Sequence, residues 1–222
     1  MYDGYLLVPV QELILLNMMY KTATHISKMQ ENVIFCCLFQ LHSSHVQLRT
    51  LSENNRGFNP YHYQIGSVWP HDNGFIAQGM KRYGFHDEAL KIAKALTESA
   101  SFFARDQMPE LYAGTTRGPT SFPVQYLGAN VPQGWAAGSM FSLLQAIVGF
   151  RPVAPQAMLY VDPLLPDWMP ELCLRDLTLG QQTFDIRFKR QNNETEFEVL
   201  RGAKDRVQRR PMTQWALQLR GG

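Results

Sequence analysis

The sequence predicts a mainly α protein closed by a small antiparallel β segment, and three observations predict it. Apolar residues recur at helical spacing from Ile76 to Phe103, a further helical pattern fills the stretch between Pro132 and Gly149, and beyond Pro155 the period changes to two. A chain of 222 residues can bury a sizeable core as one large domain, or as one domain with an appendage.

Residues 1–46 read as an apolar, partly helical segment. Leu6, Val10, Leu13 and Leu16 or Asn17 lie near helical spacing, and Ile26, Met29, Val33 and Leu38 loosely continue it. Residues 49–69 are rich in Asn, Gly, Pro and aromatics and carry no period, so they read as a loop pinned by what it packs on. From Asp72 a helix is expected with Ile76, Met80 and Tyr83 on one face, stopped at Gly84, and its Lys81-Arg82 pair reads as a solvated face. Asp87 is expected to cap a second helix whose Leu90, Ala93, Leu96, Ala100 and Phe103 form the buried stripe, giving an antiparallel helical hairpin.

A long loop from Asp106 to Val131 follows, and loops of such length usually build a site. Pro132 is expected in the first turn of a third helix, with Trp135, Met140, Leu143, Leu144 and Ile147 apolar and Gly149 at its end. Phe184, Ile186 and Phe188 alternate with Asp185, Arg187 and Lys189, and Phe197 and Val199 alternate after Asn192-Asn193, so residues 153–200 close as a small β segment. The basic stretch 201–222 reads as a solvated tail.

Composition limits function. With 45% apolar and 18% charged residues the chain is globular, and a net charge of +2 is too small to drive binding to nucleic acid or an acidic membrane. A neutral substrate fits better. Cys36, Cys37 and Cys173 have neither framework nor metal spacing, and the opening residues lack the pattern of a signal peptide or membrane span, which together point to a reducing, cytoplasmic setting.

Carbohydrate sites need aromatic faces for sugar rings, hydrogen-bonding groups for hydroxyls, and carboxyls for acid–base work. Tyr61, His62, Tyr63, Trp69, His71 and Asp72 crowd one loop at a helix entrance, Glu110 sits in the next loop, and Gln133 and Trp135 open the helix after that. The blocks YHYQIGSVWPHDNGFIAQGMKRYGF, MPELYAG and PVQYLGANVPQGWAAGSMFSLLQAIVGF, with the closing LYVDPLLPDWMPELCLRDLTLGQQTFDIRFKR, resemble the bacterial amylo-alpha-1,6-glucosidase, or glycogen-debranching-enzyme-like, family over roughly residues 47–200.

That resemblance implies that residues 47–152 are the carboxyl-terminal part of an (α/α)6 barrel, acting on α-glucosidic bonds of oligo- or polysaccharides without a cofactor. It implies Glu110 as the general base of an inverting hydrolysis and Gly66, Trp69, His71 and Asp72 as substrate-binding residues, to which Tyr63, Gln133 and Trp135 are added by their place in the same loops and helix entrances. Inversion needs a second carboxyl, roughly 6.5–9.5 Å from the base. In related enzymes it comes from an earlier part of the barrel, so it is expected to be missing here. A partial barrel is also expected to self-associate through uncovered helix faces.

Plainer readings stand beside these. A loop glutamate is usually only solvated, Asp72 can serve as a helix cap, and large tryptophans are ordinarily core. Tyr112 and Gln133 are equally explained by loop closure. His62, His71, Asp72 and His86 lack metal-ligand spacing, so no metal is expected. The non-enzymatic alternative is an inactive fragment that only binds carbohydrate.

Overall fold

The computed structural model of the protein describes residues 47–213. The apolar segment 1–46 and the end of the basic tail lie outside the described residues. Among the described residues three α-helices, α1 (Pro70–Tyr83), α2 (His86–Ala100) and α3 (Gly134–Val148), precede six strands: β1 (Arg151–Val153), β2 (Met158–Val161), β3 (Glu171–Leu179), β4 (Gln182–Gln191), β5 (Glu194–Arg201) and β6 (Val207–Arg209). Helix accounts for 32% and strand for 25% of the described residues, which corrects the expected mainly α class: the described fold is mixed α/β, and its helices are too few to form a barrel. The error has a local cause. β1, β2 and β6 are three or four residues long, too short for a period of two to show, and a register shift between Leu174 and Leu177 breaks the alternation along β3.

α1 begins earlier than Asp72 because Pro70 occupies the first turn, where a missing N–H costs nothing. Its end is as expected. Gly84 adopts φ 87°, its N–H reaches Lys81 O, and the Phe85 N–H reaches Met80 O, the paired closure that a left-handed glycine permits. α2 starts at His86, so Asp87 lies inside the first turn, where its charge still complements the helix dipole. Ala93, Leu96 and Ala100 are buried as expected, joined by Ala89 and Ile92, while Leu90 and Phe103 pack at the margin of the core.

α3 starts at Gly134 and not at Pro132, because Gln133 has extended backbone and its Oε1 accepts the Gly134 N–H at 2.9 Å. α1 packs against both α2 and α3. At the α1–α3 crossing, a Cβ on Gly74 would lie 3.0 Å from the Ser139 Cβ, so the two backbones run close. Lys81 does not sit on a solvated face: it is 3% exposed, with Nζ 3.5 Å from Asp162 Oδ2. Phe75, 36% exposed, and Phe141, 71% exposed, remain outside on α1 and α3, and α3 contains no charged residue.

β3, β4 and β5 form an antiparallel meander. Phe184, Ile186 and Phe188 of β4 are fully buried, and each contributes about 1.5–3 kcal/mol by leaving water. Their neighbours Arg187 and Lys189 face outward opposite Glu198 and Glu196, and Asn192 turns the hairpin at φ 56°. A second sheet has the order β1-β2-β6, with β6 parallel to β2. β6 lies within the stretch read as a solvated tail, where the buried apolar residues Val207 and Met212 stand among charged and polar neighbours that hide them in the sequence. Among the described residues no helix is long and apolar enough to cross a membrane.

Candidate functional site

Four chain segments meet through single backbone bridges, Arg49 to Val68, Val68 to Tyr112, and Tyr112 to Gln125. The Val68 N–H donates to Tyr112 O at 2.9 Å, and the Tyr112 N–H donates to Val68 O at 3.1 Å. This pairing brings the loop before α1 against the loop after α2, and Trp69 and Glu110 flank it. Glycine makes the approach feasible. A Cβ on Gly114 would lie 1.7 Å from the Gly66 carbonyl oxygen, and Gly66, at φ 149°, has Asn59 O where its own Cβ would fall.

Glu110 is buried, only 7% exposed, and its backbone N–H donates to Asn130 O at 3.0 Å. The Tyr63 hydroxyl donates to its Oε1 at 2.7 Å, and the Asn130 N–H and Nδ2 each reach its Oε2 at a longer 3.4 Å. Both carboxylate oxygens thus face donors, the pattern suited to a group that only accepts. The hydrogen bond to Glu110 is also the largest cause that raises the Tyr63 phenol above its usual range, with desolvation and the nearby carboxylate charge adding to it.

From Tyr63 a line of rings runs outward. Tyr63 meets Trp69 edge-on at 4.9 Å and Tyr126 at 5.6 Å; Trp69 meets His71 edge-on at 5.6 Å; and His71 stacks on Trp135 at 4.6 Å with the planes 11° apart. Trp69 is 7% exposed, and its Nε1–H donates to Tyr63 O at 3.1 Å and to Ser67 Oγ at 3.0 Å, so its polar handle is used inside the fold. Trp135, 46% exposed, carries the line to the surface and is not core.

His71 Nε2 lies 2.9 Å from Asp72 Oδ1, while His71 Nδ1 is buried and has no hydrogen-bond partner. A proton on Nε2 leaves Nδ1 as an acceptor still open to a donor. Asp72 is half exposed, so this contact adds little stability.

Of the expected residues, Glu110, Tyr63, Trp69, His71, Asp72 and Trp135 are therefore brought into one connected cluster. Gly66 serves the backbone contact, and Gln133 caps α3; neither is shown to join the ring line. His62 is exposed and its Nδ1 accepts the Gln64 N–H, while His86 lies against Lys81 elsewhere. Among the described residues no three His, Cys, Asp or Glu side chains gather as metal ligands. Sequence reading missed Tyr126 and Asn130, although both stand in the PVQYLGANVPQGW stretch and could have been taken from it. No protein-family model matches the chain, and no curated protein matches it.

Proposed function

We propose that the protein is a glycoside hydrolase acting on α-glucosidic bonds of oligo- or polysaccharides, of the debranching, amylo-alpha-1,6-glucosidase-like kind, with Glu110 as general base. One observation carries this reading: a buried carboxylate and a tryptophan from separate loops touch the same tyrosine, in a cluster whose rings reach the surface at Trp135. An aromatic face binds the apolar side of a sugar, and a carboxylate beside it removes a proton from water.

In the inverting step the water proton passes to Glu110 while the water oxygen bonds to the anomeric carbon. The glycosidic bond breaks, its electron pair leaves with the departing oxygen, and a second carboxylic acid, supplied from outside the described cluster, must protonate that oxygen. Within the described cluster the other carboxyl is Asp72, already held on His71. That observation favours a second reading, a chain that binds carbohydrate without cleaving it. A cytoplasmic setting and self-association through exposed helix side chains such as Phe75 and Phe141 belong to the same proposal.

Glucose release from α-1,6-linked and α-1,4-linked oligosaccharides separates the two readings. On the hydrolase reading wild type releases glucose and Glu110→Gln loses at least ~100-fold in rate, since a positioned base contributes about 10²–10⁴-fold. Equal rates in the two proteins would remove Glu110 from the chemistry. Sugar binding without release would leave the binding reading.

A further inference from the structure

The Tyr63 hydroxyl hydrogen is committed to Glu110 Oε1, so it is not free to bind a sugar oxygen. The rest of Tyr63 is held as firmly. Its carbonyl accepts from Trp69 Nε1 at 3.1 Å and from Ser67 Oγ at 2.7 Å, and its ring is wedged between Trp69 and Tyr126. By contrast, Glu110 Oε2 has only the two 3.4 Å contacts with Asn130. One carboxylate oxygen is therefore clamped and the other is the freer acceptor.

We infer that Tyr63 is a positioning residue, which fixes Oε1 so that Oε2 of Glu110 faces the water it deprotonates. The inference rests on the hydrolase reading above and reassigns Tyr63 from sugar contact to carboxylate alignment. It also gives Trp69 a second part: the indole that walls the cluster holds, through the Tyr63 carbonyl, the residue that aims the base. Small misplacements of a base are costly to the rate, whereas they leave ground-state sugar contacts intact.

Two measurements test it on the full chain. Tyr63→Phe keeps the ring and its packing and removes only the hydroxyl; kcat is expected to fall roughly 10- to 100-fold with KM unchanged. Unchanged near-UV circular dichroism and an unchanged melting temperature would show that the variant keeps its fold. Independently, NMR titration of ¹³Cζ-labelled tyrosine is expected to show the Tyr63 phenol titrating at lower pH in Glu110→Gln than in wild type, because the hydrogen bond to an ionised carboxylate becomes one to a neutral amide and the carboxylate charge is gone. A wild-type kcat in Tyr63→Phe, a rise in KM alone, or an unmoved phenol in Glu110→Gln would each overturn the assignment. If wild type releases no sugar, the hydrolase reading falls, and the phenol titration still decides whether Tyr63 grips the carboxylate.

Discussion

Asp162 Oδ2 lies 3.5 Å from Lys81 Nζ and also accepts the Met212 N–H at 3.0 Å, so one carboxylate joins α1 to the end of the described chain. The Asp162 N–H donates to Val148 O, which ties the same residue to the end of α3. Burial is the largest influence on Lys81 and lowers its pKa, while Asp162 opposes that shift.

An asymmetry between the two partners follows. Asp162→Ala leaves a buried ammonium uncompensated and is expected to destabilise by about 3–5 kcal/mol. Lys81→Met removes the charge, keeps the volume and leaves Asp162 its Met212 partner, so it is expected to cost clearly less. Urea unfolding of both variants checks this; equal losses would show that the ion pair is not what holds α1 to Asp162.

His86 supplies a pH test. Burial first, and Lys81 second, lower its pKa in the folded state, with Asp162, Asp87 and Glu88 acting in the opposite sense, and its Nδ1 is buried without a partner. The unfolded chain therefore takes up a proton near the ordinary value of 6.5, before the folded protein does. Stability is expected to fall as pH drops below about 6.5, until the lower folded value is passed. Unfolding free energies at pH 7.5 and 5.5 should differ less in His86→Gln than in wild type. An identical pH dependence would show that His86 does not contribute to it.

Gly114 is where the two site loops meet. Alanine there would place a methyl 1.7 Å from the Gly66 carbonyl, backbone against backbone, so no side-chain rotation relieves the clash. The expected cost is about 1–3 kcal/mol or more, with loss of the Val68–Tyr112 pairing. Thermal melting reads the first effect, and hydrogen exchange at the Val68 and Tyr112 amides reads the second. A variant that melts like wild type would mean that the loops separate freely.

The helices and the central hairpin were legible because their signals are local. Ala93, Leu96 and Ala100 repeat within one helix, Gly84 and Gly149 stop their own helices, and Phe184, Ile186 and Phe188 alternate along one strand. Lys81 was misread for the opposite reason: its burial depends on Asp162, a distant partner with no nearby pattern. The site divides in the same way. Glu110, Trp69 and Tyr63 could be named as residue types suited to sugar chemistry, but their meeting depends on Val68 pairing with Tyr112, which no periodicity announces. The Gln133 side chain illustrates the limit, since a residue at a helix entrance can cap that helix as readily as contact a ligand.

Trp135 and Trp69 should respond differently to truncation. Trp135 is half exposed and stacked on His71, so Trp135→Ala removes a surface ring without opening the core. A stacking contact contributes about 0.5–1.5 kcal/mol, which corresponds to roughly 2- to 10-fold weaker binding of an α-glucan oligosaccharide, with little change in melting temperature. Trp69→Ala instead leaves a cavity beside Tyr63 and strips two hydrogen bonds, at an expected cost of about 3–5 kcal/mol. Calorimetric titration with the oligosaccharide, paired with a melt of each variant, separates the two. Undiminished affinity in Trp135→Ala would take that ring out of the binding surface, and a stable Trp69→Ala would deny the indole its part in holding Tyr63.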